Sequence, residues 1–133
     1  MGTKYLTNVQ TALYAKLTGD ATLMALITGV YDDVPTGTAL PYVVFGEWTD
    51  ESDDTMGANH RELTFVLEVH SEYLGFKESL NIADEVKRVL HKCSLTVTGA
   101  TFVGCLYQES FPQRPPGGRL RFIPMRFRLR ISE

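Results

Sequence analysis

The residues of this chain that could do chemistry are three histidines, two cysteines and a scatter of carboxylates. Asp32 and Asp33 are adjacent on a loop, and adjacent carboxylates do not converge on one substrate atom as a general acid and base must. His60 falls at a loop end, His70 at a strand end and His91 at a helix end, ordinary surface positions for histidine. Asp50, Glu51, Asp53 and Asp54 have the charge density of a calcium loop. They lack its glycine and its terminal bidentate glutamate, so a plain solvated loop is the reading. No GxSxG elbow, P-loop, GxGxxG or HExxH occurs. Cys93 and Cys105 could bridge a hairpin or supply half a metal site. With no CxxC pair and no second cluster, they read as two small apolar side chains in a reducing compartment. No catalytic residue, metal ligand or cofactor-binding set is expected.

Charge separation is more informative. Five of the 16 acids, Glu47, Asp50, Glu51, Asp53 and Asp54, sit within eight residues, and five of the 13 bases, Arg119, Arg121, Arg126, Arg128 and Arg130, sit in the last strand. One reading makes these arginines a solvated sheet face, paired across strands with Glu62, Glu68 or Glu109. A second lets that face meet the acidic loop of a neighbouring copy in a head-to-tail contact that closes a ring. A third, minor reading has the arginines touch DNA phosphates; the absence of interleaved aromatics and the net charge of −3 weigh against it.

The elements that carry these residues follow from periodicity. Leu6, Val9, Leu13 and Leu17 trace one face of a helix ended by Gly19, and Asp20 is the N-cap of a second short helix, Ala21 to Thr28, with Leu23, Leu26 and Ile27 inward. Pro35, Gly37 and Pro41 mark a loop, followed by a strand over Tyr42–Glu47 and a polar, acidic loop over Trp48–Asn59. Arg61–His70 alternates, with Leu63, Phe65, Leu67 and Val69 on one side. A third helix runs Phe76–Lys92, with Leu80, Ala83, Val86 and Leu90 buried and Ile82 and Val89 in support. Short Leu95–Val97, then Thr101–Phe111 and Arg119–Ile131, are strands, the last two joined through Pro115–Gly118. Leu120 and Phe122 are out of phase with Met125, Phe127, Leu129 and Ile131. A bulge at Pro124 would restore the phase and set all five arginines opposite the apolar face.

These elements, in the order ααββαβββ, predict an α+β domain over residues 1–133. Its sheet would be mixed, mainly antiparallel, with four to five strands and about three helices on one side. A chain of this length builds a core without disulfides. No apolar run is long enough to span a bilayer, and the N-terminus has no signal pattern, which predicts cytoplasmic synthesis and no membrane partner.

Several segments together resemble the tail-completion, or tail-terminator, proteins of long-tailed phages. They are Leu13–Leu17 with Asp20–Leu26, Val30–Pro35 with Leu40–Gly46 (P-Y-V-V-F-G after V-Y-D-x-V-P), Gly75–Glu78 with Ile82–Ala83 and Val86–Leu90, and the closing strand Leu120–Phe122 to Phe127–Arg130. The resemblance covers nearly the whole chain. It implies a structural protein without catalysis or cofactor, docking as a hexameric ring on a finished tail tube and presenting a surface to the head connector. The implied partners are other copies of itself, the tail tube protein and the head connector, with genomic DNA only passing through. The implied location is the head–tail interface of the virion after assembly in the host cytoplasm. A head-completion adaptor on the portal side, a small enzyme and a host-encoded binding domain are the competing readings.

Overall fold

The computed structural model describes residues 4–52, 56, 60–72, 75–114 and 120–132. Its elements are α1 (Lys4–Thr18), α2 (Ala21–Met24), β1 (Val30–Tyr31), β2 (Tyr42–Ser52), β3 (His60–Ser71), α3 (Lys77–Leu90), β4 (Thr101–Ser110) and β5 (Arg121–Ser132). The strands form one sheet in the order β1-β2-β3-β5-β4, antiparallel except for the short β1–β2 pairing. The fold is α+β, with the three helices and mainly antiparallel sheet expected.

Its core is laid down by strict alternation on the two central strands. Leu63, Phe65, Leu67 and Val69 are fully buried and stand opposite Leu129, Phe127, Met125 and Ile123. Each such side chain contributes about 1.5–3 kcal/mol on burial. Trp48, Phe65, Phe127 and Tyr107 occupy one row across β2, β3, β5 and β4. Their ring centroids are 5.0, 5.4 and 5.6 Å apart in turn. Helix α3 contacts β3, β4 and β5, and α1 contacts α3 and β1, so the helices cover this face.

Local signals explain the helix ends. The Asp20 carboxylate accepts the Leu23 N–H at 2.9 Å, capping α2, and an Arg88 Nη2–Asp20 Oδ2 pair at 2.6 Å ties that cap to α3. Helix α3 stops at Leu90, two residues short of the expected end, because Lys92 is in the left-handed region (φ 58°) and its N–H donates to the Cys105 carbonyl at 2.8 Å.

The structure corrects several expectations. Leu80 is 43% exposed; the stripe facing the sheet is Ser79, Ile82, Ala83, Val86, Val89 and Leu90. Leu26 is also exposed, since α2 ends at Met24 and the chain leaves the helical path before it. Leu95–Val97 forms no strand, although Val97 is buried; the fifth strand is instead Val30–Tyr31. The expected loop Trp48–Asn59 is strand as far as Ser52, and a register irregularity between Phe45 and Trp48 is what breaks the alternation in the sequence. Met56 lies in a turn, while Asp53, Asp54 and Asn59 fall outside the described residues, as does Pro115–Gly118.

Pro124 does not mark a bulge. The β3–β5 register runs unbroken from Ser71↔Arg121 to His60↔Ser132. Proline fits there because only its carbonyl is used, accepting the Phe111 N–H at 3.0 Å, just past the last regular β4–β5 pair, Ser110↔Met125.

Candidate functional site: the open face of the sheet

Because β5 alternates without interruption, Arg126, Arg128 and Arg130 are exposed on the face away from the helices, in a column spaced about 7 Å apart. Arg121 is not among them. It points to the helix side and is 8% exposed. The outer position that apolar phasing assigned to an arginine belongs to Phe122, stacked on His70 at 5.6 Å. Arg119 lies outside the described residues.

Rows of cross-strand neighbours give this face its electrostatics. Glu51, Glu62 and Arg130 are successive partners from β2 to β5, and Thr49, Thr64, Arg128 and Leu106 form the next row. Arg128 Nε meets Glu62 Oε1 at 3.1 Å, and Arg126 Nη1 meets Glu109 Oε1 at 2.7 Å. In the orientation that satisfies both groups, the Gln108 amide oxygen accepts from Arg128 at 2.6 and 3.0 Å. Glu47, Thr49 and Glu51 line a shallow recess with Thr64, Gln108 and Arg126. A second recess is lined by Val103, Gly104, Leu106, Glu62, Arg128 and Arg130. The face thus grades from carboxylates at the β2 edge to guanidinia on β5 and exposed aliphatic side chains on β4. Such exposed pairs are worth about 0–1 kcal/mol each, so they select a partner's register more than they hold the fold.

Asp50 and Glu51 part company. Asp50 turns toward the helix side of the sheet and is held by Arg61, with Nε–Oδ1 at 3.0 Å and Nη2–Oδ2 at 2.5 Å. Glu51 remains exposed on the open face, and Asp53 and Asp54 lie outside the described residues.

The histidines have structural partners. His70 Nε2 is 3.0 Å from Glu68 Oε1, with its ring between Tyr42 and Phe122 on the open sheet; no hydroxyl or thiol among the described residues is hydrogen-bonded to that pair. His91 Nδ1 accepts the Tyr107 N–H at 3.0 Å, tying the end of α3 to β4. A groove of about 600 Å³ between α1 and β2 is lined by Leu6, Thr7, Gln10, Thr11, Tyr14, Asp32, Phe45 and Trp48. Among these described lining residues Asp32 is the one acid, and none is a base. Among the described residues no group of His, Cys, Asp and Glu is arranged to hold a metal, and no helix is long and apolar enough to cross a membrane.

The two cysteines are close, an arrangement their separation of 12 positions did not disclose. The Lys92 turn sets Cys93 beside Cys105. A hydrogen bond from the Cys105 thiol, opposed by burial and aided by Lys16, lowers the Cys93 pKa to about 7, while the same contact and burial push the Cys105 thiol up.

Residues 11–132 match the family model described as tail completion protein gp17. The chain belongs to this family. It is also similar to a chain in a structure titled "Virion of native gene transfer agent (GTA) particle", at 28% identity and a TM-score of 0.91, over 97% of this chain and 98% of that one. No curated protein matches. Family membership gives the charged open face its context, that of a structural component in phage virion assembly. The expectation drawn from the sequence resemblance therefore holds at the level of family.

Proposed function

We propose that this chain caps the completed tail tube of a tailed phage or phage-like particle as a ring of copies, most simply six, and joins the tail to the head connector. The observation that carries the reading is the Arg126–Arg128–Arg130 column on the sheet face away from the described helices, with Glu47 and Glu51 at the far side of that face. A basic strip and an acidic edge on one surface suit a head-to-tail contact, which closes into a ring when the rotation closes. The match to a chain in a virion structure supports assembly with other virion proteins. In this reading residues 1–133 act as one domain without catalysis or cofactor. The partners are other copies, the tail tube protein and the head connector, with genomic DNA only passing through. Assembly takes place in the host cytoplasm and the product resides in the virion.

The test is electron microscopy of lysates from particles carrying R126E and R128E together, with the gene deletion as reference. Overlong tails, or normal tails lying free beside DNA-filled heads, in both samples support termination or joining through this face. Infectious particles at normal yield from the double variant would remove the arginine column from the interface. Filled heads that lose their DNA, with tails of normal length, would favour the head-completion adaptor.

A further inference from the structure

Arg121 is the one described arginine whose side chain is buried in this way. It is 8% exposed, its Nε has no hydrogen-bond partner, and Nη1 donates to the Leu120 carbonyl at 3.0 Å. Among the described residues no carboxylate lies within ion-pair distance of it. A buried guanidinium left without a counter-ion is costly, so its position asks for an anion that arrives from elsewhere.

The surroundings are built for one. The Arg121 guanidinium carbon lies 5.6 Å from the Phe76 ring, and Arg114 lies 5.6 Å from the same ring. Phe76 is the N-cap of α3 and supplies no side-chain acceptor, so nothing from that residue caps the first-turn amides of Lys77, Glu78 and Ser79. The first intrahelical bond is Leu80 N–H to the Phe76 carbonyl, 2.8 Å, and the Ser79 hydroxyl donates to the same oxygen at 3.2 Å. Glu78, the acid in that turn, accepts from the Ser71 hydroxyl at 2.6 Å, and Glu72 is exposed nearby in sequence. Two guanidinia thus lie beside the ring of the residue that opens α3, at the positive end of that helix.

We infer that Arg121, Arg114 and the first turn of α3 form an oxyanion site that takes a carboxylate side chain from a second copy of this chain. The charge distribution argues for that source. Asp50 and Glu51 lie in the last part of β2, paired with Leu63 and Glu62, eight and nine strand steps from Ser71, which stands opposite Arg121; Glu47, Asp53 and Asp54 are close to them in sequence. Eleven strand steps separate Ser71, opposite Arg121, from His60, about 36 Å. Asp50 and Glu51 of one molecule cannot reach its own site, and a net charge of −3 disfavours nucleic acid as the donor. The inference rests on the ring reading only in needing contact between copies.

The experiment is an NMR titration of the full-length ¹⁵N-labelled protein with a synthetic peptide of residues 47–54. The Arg121 Nε–H resonance and the Lys77–Ser79 amides should shift saturably. The same peptide with its five acids as amides should leave them in place. R114Q should weaken the binding about tenfold. Inorganic phosphate and a DNA duplex at matched ionic strength are the control probes. If the acidic peptide leaves the Arg121 resonance unmoved, or phosphate or DNA moves it at lower concentration, the proposal is overturned. The readout needs no Arg121 variant and so does not depend on how such a variant folds. It is also independent of the microscopy: loss of rings in R126E/R128E with peptide binding intact would leave this site standing.

Discussion

At the residue scale, the thiol of Cys93 and the carboxylate of Asp20 are the two titrating groups that the fold perturbs most informatively. Cys93 is brought down to about 7 chiefly by the Cys105 hydrogen bond. Its alkylation by iodoacetamide should therefore rise through pH 7, while Cys105 stays unmodified. C105A should move that rise toward the ordinary thiol range near 9, and mass spectrometry after a short pulse reads both. Asp20 is held below its usual 3.8 mainly by the Leu23 amide, with Arg88 adding to the effect. A carboxylate with a lowered native pKa stabilises the fold fully above its unfolded value. That stabilisation fades as pH falls through the native one. D20A should lower the urea midpoint clearly at pH 7 and much less near pH 3. The cap was legible in the sequence because Asp20 directly follows the helix-ending Gly19. The thiol pair was not, since it depends on Lys92 adopting φ 58° at a position where nothing in its type calls for it.

At the element scale, α3 offers a sharp test of its orientation. Ile82 is 1% exposed and Leu80 43%. I82A should cost about 2–5 kcal/mol, and L80A about 0.5 kcal/mol or less, in denaturant unfolding. A larger cost for L80A than for I82A would mean the helix is turned the other way. The sequence identified this helix and most of its stripe. It misjudged Leu80 because leucine weighs the same on either flank of a broad apolar arc. Strand β3 was fully legible, since four apolar residues at strict spacing of two leave one solution. Strand β5 was readable from Met125 onward but not at its start. There Phe122 faces outward, because Tyr42 and His70 provide an aromatic row for it, and Arg121 turns inward beside Phe76. Those two side chains reverse the usual sides of a sheet, and a period-two reading takes them for a bulge. The five outer-face arginines expected there reduce to three described ones, and the inward Arg121 becomes the anion site proposed above.

For the whole molecule, the long β3–β5 pairing and the aromatic row from Trp48 to Tyr107 join both halves of the chain in one core. Thermal unfolding of residues 1–133 should accordingly be a single transition, with calorimetric and van't Hoff enthalpies equal. Two transitions would contradict the single-domain proposal. The fold class was within reach of the sequence because helix and strand periods alternate cleanly along it. The acidic segment was harder to place. It reads as loop, yet β2 continues to Ser52, carrying Asp50 to Arg61 and Glu51 to the open face.

The sheet's two outermost strands are unequal. Among the described residues no strand pairs with β2 beyond Val44, so its run from Trp48 to Ser52 has backbone groups available on one side. The opposite margin, β4, is broken at Phe102/Gly104 and again at Tyr107/Glu109. A margin with two irregularities cannot zip along its full length with an identical strand, while the straighter margin carries carboxylates that repel its own kind. Fibril-like stacking of like upon like is thereby discouraged at both sides. A stock of free subunits should keep as dispersed molecules, with static light scattering flat over days at high concentration, and filling in the β4 irregularities by deleting Val103 and Gln108 should shorten that shelf life.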